Sequence, residues 1–185
     1  APAFKAPQIA VQALAAGANA AGTGICSSEA ALLEGMESRN SRCFLELWTG
    51  NSGYADAQLS HIQALHFRGG HSPNGNKIQR HETSVSPSRF ADFSCLADFR
   101  ACAKFVRDQT GGIPIGFKIS PQHVEKDISI AVAAGADYLV LDGRSTGSEV
   151  ALMFHDHVSI PIVPALIRAR AHLDAIGAES VSLIV

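Results

Sequence analysis

The chain has 185 residues, enough for one domain with a real core, and an apolar share of 46% is ordinary for a globular protein. Charged residues make up only 17% and the formal net charge is −2, so no basic face argues for nucleic acid. Apolar runs are strand-sized or broken by glycine, which leaves no membrane-spanning segment. The leading APAFKAPQ has neither the charged stretch nor the long apolar stretch of a secretory signal. Cys26, Cys43, Cys95 and Cys102 are scattered without Cys-x-x-Cys spacing, and they read as reduced thiols of a cytoplasmic protein.

In chain order, residues 6–21 read as an Ala-rich helix with Ile9 and Leu14 on its buried side. Residues 22–29 (GTGICSSE) are a Gly/Ser turn that closes a short strand, and residues 30–39 suit a second helix. Cys43–Trp48 alternates weakly and reads as a strand, 51–53 as a turn, 54–61 as helix-like and 64–68 as a short strand. Residues 69–87 are irregular, with Gly, Pro, Asn and Ser throughout. Residues 90–107 then form an amphipathic helix, because Phe93, Leu96, Phe99, Cys102, Ala103 and Val106 recur at helical steps.

The most regular unit lies at 113–147. Ile113, Ile115, Phe117 and Ile119 alternate in a strand that carries Lys118 near its end. Ser120 is placed to cap and Pro121 to occupy the first helical position. Val124, Ile128, Ala131, Val132 and Gly135 share one helical face, and Tyr138–Leu141 is an apolar run suited to a strand covered on both faces. Beyond it, 149–155 suits a short helix, 160–163 a strand, 164–176 a helix and 181–185 a final strand. No linker divides residues 1–185, so a single parallel α/β domain is expected. A closed eight-stranded (β/α)8 barrel needs roughly 250 residues. The chain is shorter and ends inside an apolar strand, so a piece of a barrel is expected over a smaller open sheet.

In such folds ligands bind at the carboxyl ends of the strands. Lys118 sits at that edge, suited to an anion, a polarised carbonyl or a reduced flavin; the plain alternative is a lysine that snorkels to solvent. Asp142, Gly143, Arg144, Thr146 and Gly147 make a turn able to cradle phosphate or a ring edge, and also a turn ordinary for its place. Glu29 could bind an amino group or belong to a helix-capping cluster with Ser27 and Ser28. Gly69, Gly70, His71 and Lys77 suit a binding loop or a solvated one. His155 and His157 are two apart and point different ways on a helix, so no metal pair is expected, and no zinc or serine-hydrolase motif occurs.

The runs GTGICSSE, SPSRFADF, TGGIPIGFKIS, GADYLVLDGR and SIPIVPALIRARAHLD, in this order, resemble the FMN-binding domain of the glutamate synthase family, nearest its stand-alone members. The resemblance implies a TIM barrel that binds FMN and reductively aminates 2-oxoglutarate, through 2-iminoglutarate, to glutamate. It implies an amine donor and an amidotransferase or electron-donor subunit as partners. By position it makes Glu29 and Lys118 catalytic, and Asp142, Gly143, Thr146 and Gly147, with Lys118, cofactor-binding. Gly69, Gly70, His71, Arg80 and Ser86, with Glu29, fall at the substrate.

The chain departs from the family pattern. Ala30 and Ala31 replace two glycines, the Lys-Pro-Gly ahead of Gly69 is missing, and the stretch between Lys77 and Ser86 is shortened. The iron–sulfur cysteine cluster of the large subunit is not visible. The family's serine-containing flavin turn would precede Ala1 and its phosphate loop would follow Val185, so this chain alone is expected to bind FMN poorly or not at all, and exposed strand edges to favour self-association. The alternative is a non-catalytic partial barrel serving folding or assembly.

Overall fold

The computed structural model describes residues 8–27, 42–48, 59, 62–68, 93, 95–143 and 160–185. Among them the chain runs α1 (Gln8–Ala20), β1 (Ile25–Ser27), β2 (Cys43–Trp48), β3 (Ile62–Arg68), α2 (Leu96–Thr110) and β4 (Ile115–Ile119). A 3-10 turn (Pro121–His123), α3 (Val124–Ala134), β5 (Tyr138–Leu141), α4 (Ile162–Ala175) and β6 (Ser182–Ile184) follow. Six strands form one sheet in the order β1-β2-β3-β4-β5-β6, every pair parallel. Sequential order matters physically. Right-handed crossovers that always step the same way put every connecting helix on one face. The other face is left to curl inward, as in a (β/α)8 barrel, and the six described strands form an open part of one.

The helix-covered face holds the core. Leu45, Leu47, Leu65, Phe67 and Ile115 pack with Ala15 of α1 and Cys102, Ala103 and Val106 of α2. Leu139 and Leu141 pack with Val124, Ile128 and Ala131 of α3 and Ala169 and Leu173 of α4. The rings of Phe67, Phe93, Phe99 and Phe117 stand 5.0 to 5.7 Å apart and tie α2 to β3 and β4. Between α3 and α4, Arg168 grips the Glu125 carboxylate at 2.8 and 2.6 Å, and Ser129 meets His172 at 2.8 Å.

Several expected boundaries move. Helix α2 starts at Leu96, not at residue 90, because Cys95 is extended and its N–H donates to the Asp98 carboxylate at 2.9 Å. Phe93 precedes the helix yet still stacks on Phe99 at 5.0 Å, which is why it shares the apolar period. Ser120 makes no side-chain cap; Pro121 instead opens the 3-10 turn that leads into α3. Gly135 is not a face residue but the cap, with φ +93°, where its backbone N–H bonds the Val132 carbonyl.

Residues 160–163 do not form a strand, since α4 begins at Ile162 and Pro164 fits its first turn. A four-residue apolar run has no decisive period, and the burial of Ala165, Ala169 and Leu173 settles it as helix. Leu14 is exposed while Ala15 is buried, because α1 meets the sheet through its small residue. The expected elements at 30–39, 51–53 and 149–155, and that at 54–61 apart from the helical and buried Leu59, lie outside the described residues.

Candidate functional site at the inner sheet face

Strand alternation turns the other half of each strand toward the inner face. Glu46 pairs in register with His66, His66 with Gly116, and Gly116 with Tyr138, giving one transverse layer. The next layer toward the carboxyl ends joins Trp48, Arg68, Lys118 and Val140, with Asp142 just past β5. Apolar strands therefore carry a polar seam on one side only.

Glu46 is the hub. It is 8% exposed and His66 6%, and their side chains meet at 3.1 Å between Oε2 and Nε2. Arg68 donates to Glu46 Oε1 at 3.0 Å, while Lys118 Nζ lies 4.0 Å from Oε2 and 3.2 Å from the Asp142 carboxylate. On the far side His66 Nδ1 meets the Tyr138 hydroxyl at 3.2 Å, with the two rings edge to face.

Burial opposes ionisation of Glu46, but the bond to His66 and the Arg68 charge outweigh it and hold the carboxyl at about 2. As an ionised carboxylate only accepts, His66 donates from Nε2, and in that tautomer Nδ1 accepts the Tyr138 O–H. Burial raises the Tyr138 phenol, so that proton stays on oxygen. Cys26 is exposed as a residue, yet crowding around its thiol, reinforced by Glu46, pushes it up to about 11.

Gly116 is glycine for a steric reason. A Cβ there would stand 2.4 Å from the Tyr138 ring, so its absence lets the phenol cross the layer to His66. Gly143 is likewise occupied: a Cβ would lie 2.8 Å from Ile162, so this position serves the packing of α4 against the turn.

Of the residues expected at a site, Lys118 and Asp142 are brought together as an ion pair, and Gly143 stands beside them. Glu29, Gly69, Gly70, His71, Arg80, Ser86, Thr146 and Gly147 lie outside the described residues. Glu46, His66, Arg68, Tyr138 and Cys26 were not singled out from sequence. The available signal was a Glu inside CFLELW and a His inside IQALHFR, polar residues on the alternate positions of otherwise apolar strands.

A family described as "Conserved region in glutamate synthase" matches residues 7–185. "Archaeal-type glutamate synthase [NADPH]" of Thermotoga maritima is 29% identical over 175 residues, covering 83% of this chain and 34% of the relative. The protein of that name from Thermotoga neapolitana is 27% identical over 198 residues, covering 95% of this chain and 39% of its own length. The chain thus spans between a third and two fifths of the curated relatives it matches. Among solved structures, a Pediococcus acidilactici protein described as a lactate oxidase superposes with a TM-score of 0.50 at 15% identity, covering 94% of this chain and 57% of that one. That likeness concerns the fold alone. With the family match extending over nearly all of the sequence, the chain belongs to the glutamate synthase family.

Proposed function

We propose that this domain serves a glutamate synthase-type oxidoreductase, in the FMN-dependent reductive amination of 2-oxoglutarate, by way of 2-iminoglutarate, to glutamate. The observation that carries the reading is the Lys118–Arg68 pair of cations at the carboxyl ends of β4 and β3, in a chain of this family. The donor chemistry fits a flavin, whose N1 and C2 carbonyl oxygen are acceptors that an ammonium and a guanidinium can meet. FMN, when bound, supplies hydride-transfer chemistry at that rim.

The chain's own residues set the electrostatics. Glu46 stays ionised and fixes Arg68, so the cations do not drift. An ammonium has three N–H donors, more than the contacts of Lys118 with Asp142 and Glu46 use among the described residues. Glu29, Gly69, Gly70, His71, Arg80 and Ser86 are proposed to hold the dicarboxylate, and Asp142, Gly143, Thr146 and Gly147 to line the cofactor. An amine donor and an amidotransferase or electron-donor subunit complete the proposal. So does a cytoplasmic setting, which suits four cysteines scattered without Cys-x-x-Cys spacing.

Two observations favour a non-catalytic partial barrel: Lys118 already faces two internal carboxylates, and Gly143 is filled against Ile162. Titration of the purified chain with FMN, read by flavin fluorescence, separates the two. Weak but saturable quenching is expected, with Lys118→Ala weakening it about 10- to 100-fold, the worth of a charge-assisted hydrogen bond. Quenching indifferent to Lys118→Ala would remove the role given to Lys118, and none at millimolar FMN would favour the non-catalytic partial barrel.

A further inference from the structure

We infer that Cys26, Glu46 and His66 form a site for one borderline divalent cation, Zn2+ foremost, on the inner sheet face beneath the Arg68–Lys118 rim. The three come from adjacent strands β1, β2 and β3, and one donor atom from each lies within 4.8 Å of the others. Glu46 Oε2 and His66 Nε2 are 3.1 Å apart. With Zn–O and Zn–N bonds of about 2.0–2.1 Å, a tetrahedron has edges of about 3.3 Å, so this pair already spans one. Cys26 Sγ, within 4.8 Å of both, needs to close by no more than about 1.3 Å to reach the edge set by a Zn–S bond of about 2.3 Å. A side-chain rotation at an exposed position supplies that movement.

The donor set is selective. Thiolate, imidazole and carboxylate together suit Zn2+ and its first-row neighbours, whereas Mg2+ and Ca2+ seek oxygen alone. Three protein ligands also leave a fourth position for water or a small anion. An outer shell is already built around two of the ligands. Glu46 Oε1 is fixed by Arg68 at 3.0 Å, and His66 Nδ1 by Tyr138 at 3.2 Å, the latter possible only because residue 116 lacks a Cβ.

On binding, the cation replaces the Nε2–H···Oε2 bond, the imidazole proton moves to Nδ1, and the Tyr138 hydroxyl turns from donor to acceptor. The Cys26 thiol gives its proton to solvent. Lys118 approaches the same Glu46 oxygen at 4.0 Å but is held closer by Asp142, at 3.2 Å. The inference does not rest on the flavin proposal, and either can fail alone.

Co2+ is the probe, titrated into the full chain after stripping with chelator and then displaced with Zn2+. One equivalent is expected, with a thiolate-to-cobalt charge-transfer band that Zn2+ abolishes. Cys26→Ser removes that band without altering the circular dichroism. Tyr138→Phe keeps the band and weakens affinity about 10- to 100-fold, as outer-shell losses do. As a check that needs no variant, Zn2+ slows alkylation of Cys26 in peptide-mapped wild-type chain. A band that survives Cys26→Ser, cobalt binding without a sulfur band, or alkylation of Cys26 indifferent to Zn2+ would each overturn the site.

Discussion

At the scale of single residues, Glu46 decides the inner face. Arg68, Lys118 and the His66 ring surround its carboxylate, so Glu46→Gln removes the one charge that the two cations share. Losing a charged partner from such a part-buried network costs about 1–3 kcal/mol, and the variant should melt several degrees below the parent in calorimetry. The pH dependence follows from the same group. Its carboxyl falls from 4.5 to about 2 on folding, so the native state binds fewer protons than the unfolded one between those values. The stabilisation is therefore complete above about pH 4.5 and is lost as pH falls through 2. Acid titration of stability should show this loss in the parent and not in Glu46→Gln; equal slopes would contradict it. Cys26 behaves in the opposite sense. A thiol at about 11 is protonated at neutrality, so iodoacetamide should react slowly with the metal-free chain at pH 7 and faster up to about pH 11. Rapid labelling of Cys26 at neutral pH would show that the crowding is absent in solution.

At the scale of elements, the strands and helices were largely readable, and the site was readable only at Lys118 and Asp142. Cys43–Trp48 and Tyr138–Leu141 fall where β-branched, aromatic and leucine runs place them. Helix α2 was legible from its period, while its start was not, because Cys95–Asp98 is a weak capping signal beside the continuing aromatic pattern. The run at 160–163 reads equally as strand or helix until Ala165, Ala169 and Leu173 find a surface to bury against. Gly116 is in sequence only one of the positions that alternate with Ile115 and Phe117. In the sheet it is the gap through which Tyr138 reaches His66. Gly116→Ala should cost about 1–3 kcal/mol through overpacking and lower the melting temperature by several degrees. Tyr138→Phe combined with it should recover little, since the clash is with the ring and not the hydroxyl. Full recovery in the double variant would show that the hydrogen bond, rather than ring packing, is at stake.

At the scale of the molecule, one-way parallel stepping leaves the sheet open among the described residues, with β1 and β6 as its edges. Ile184 and Val185 are 47% and 68% exposed at one edge. An apolar, unpaired parallel edge is a template for another strand. Sedimentation velocity should show concentration-dependent self-association of the 185-residue chain, reduced by Ile184→Lys at the same edge. A single monomeric species up to millimolar concentration would contradict this.

The amino-acid sequence by itself determined the alternation of strands and helices, the parallel class, and Lys118 at a strand end, because period and turn chemistry act over a few residues. Only the tertiary structure decided that Cys26, Glu46, His66, Gly116 and Tyr138 share one face. Those residues are separated by stretches of 20 to 72 positions between bonded partners, and register across strands, not spacing along the chain, brings them together.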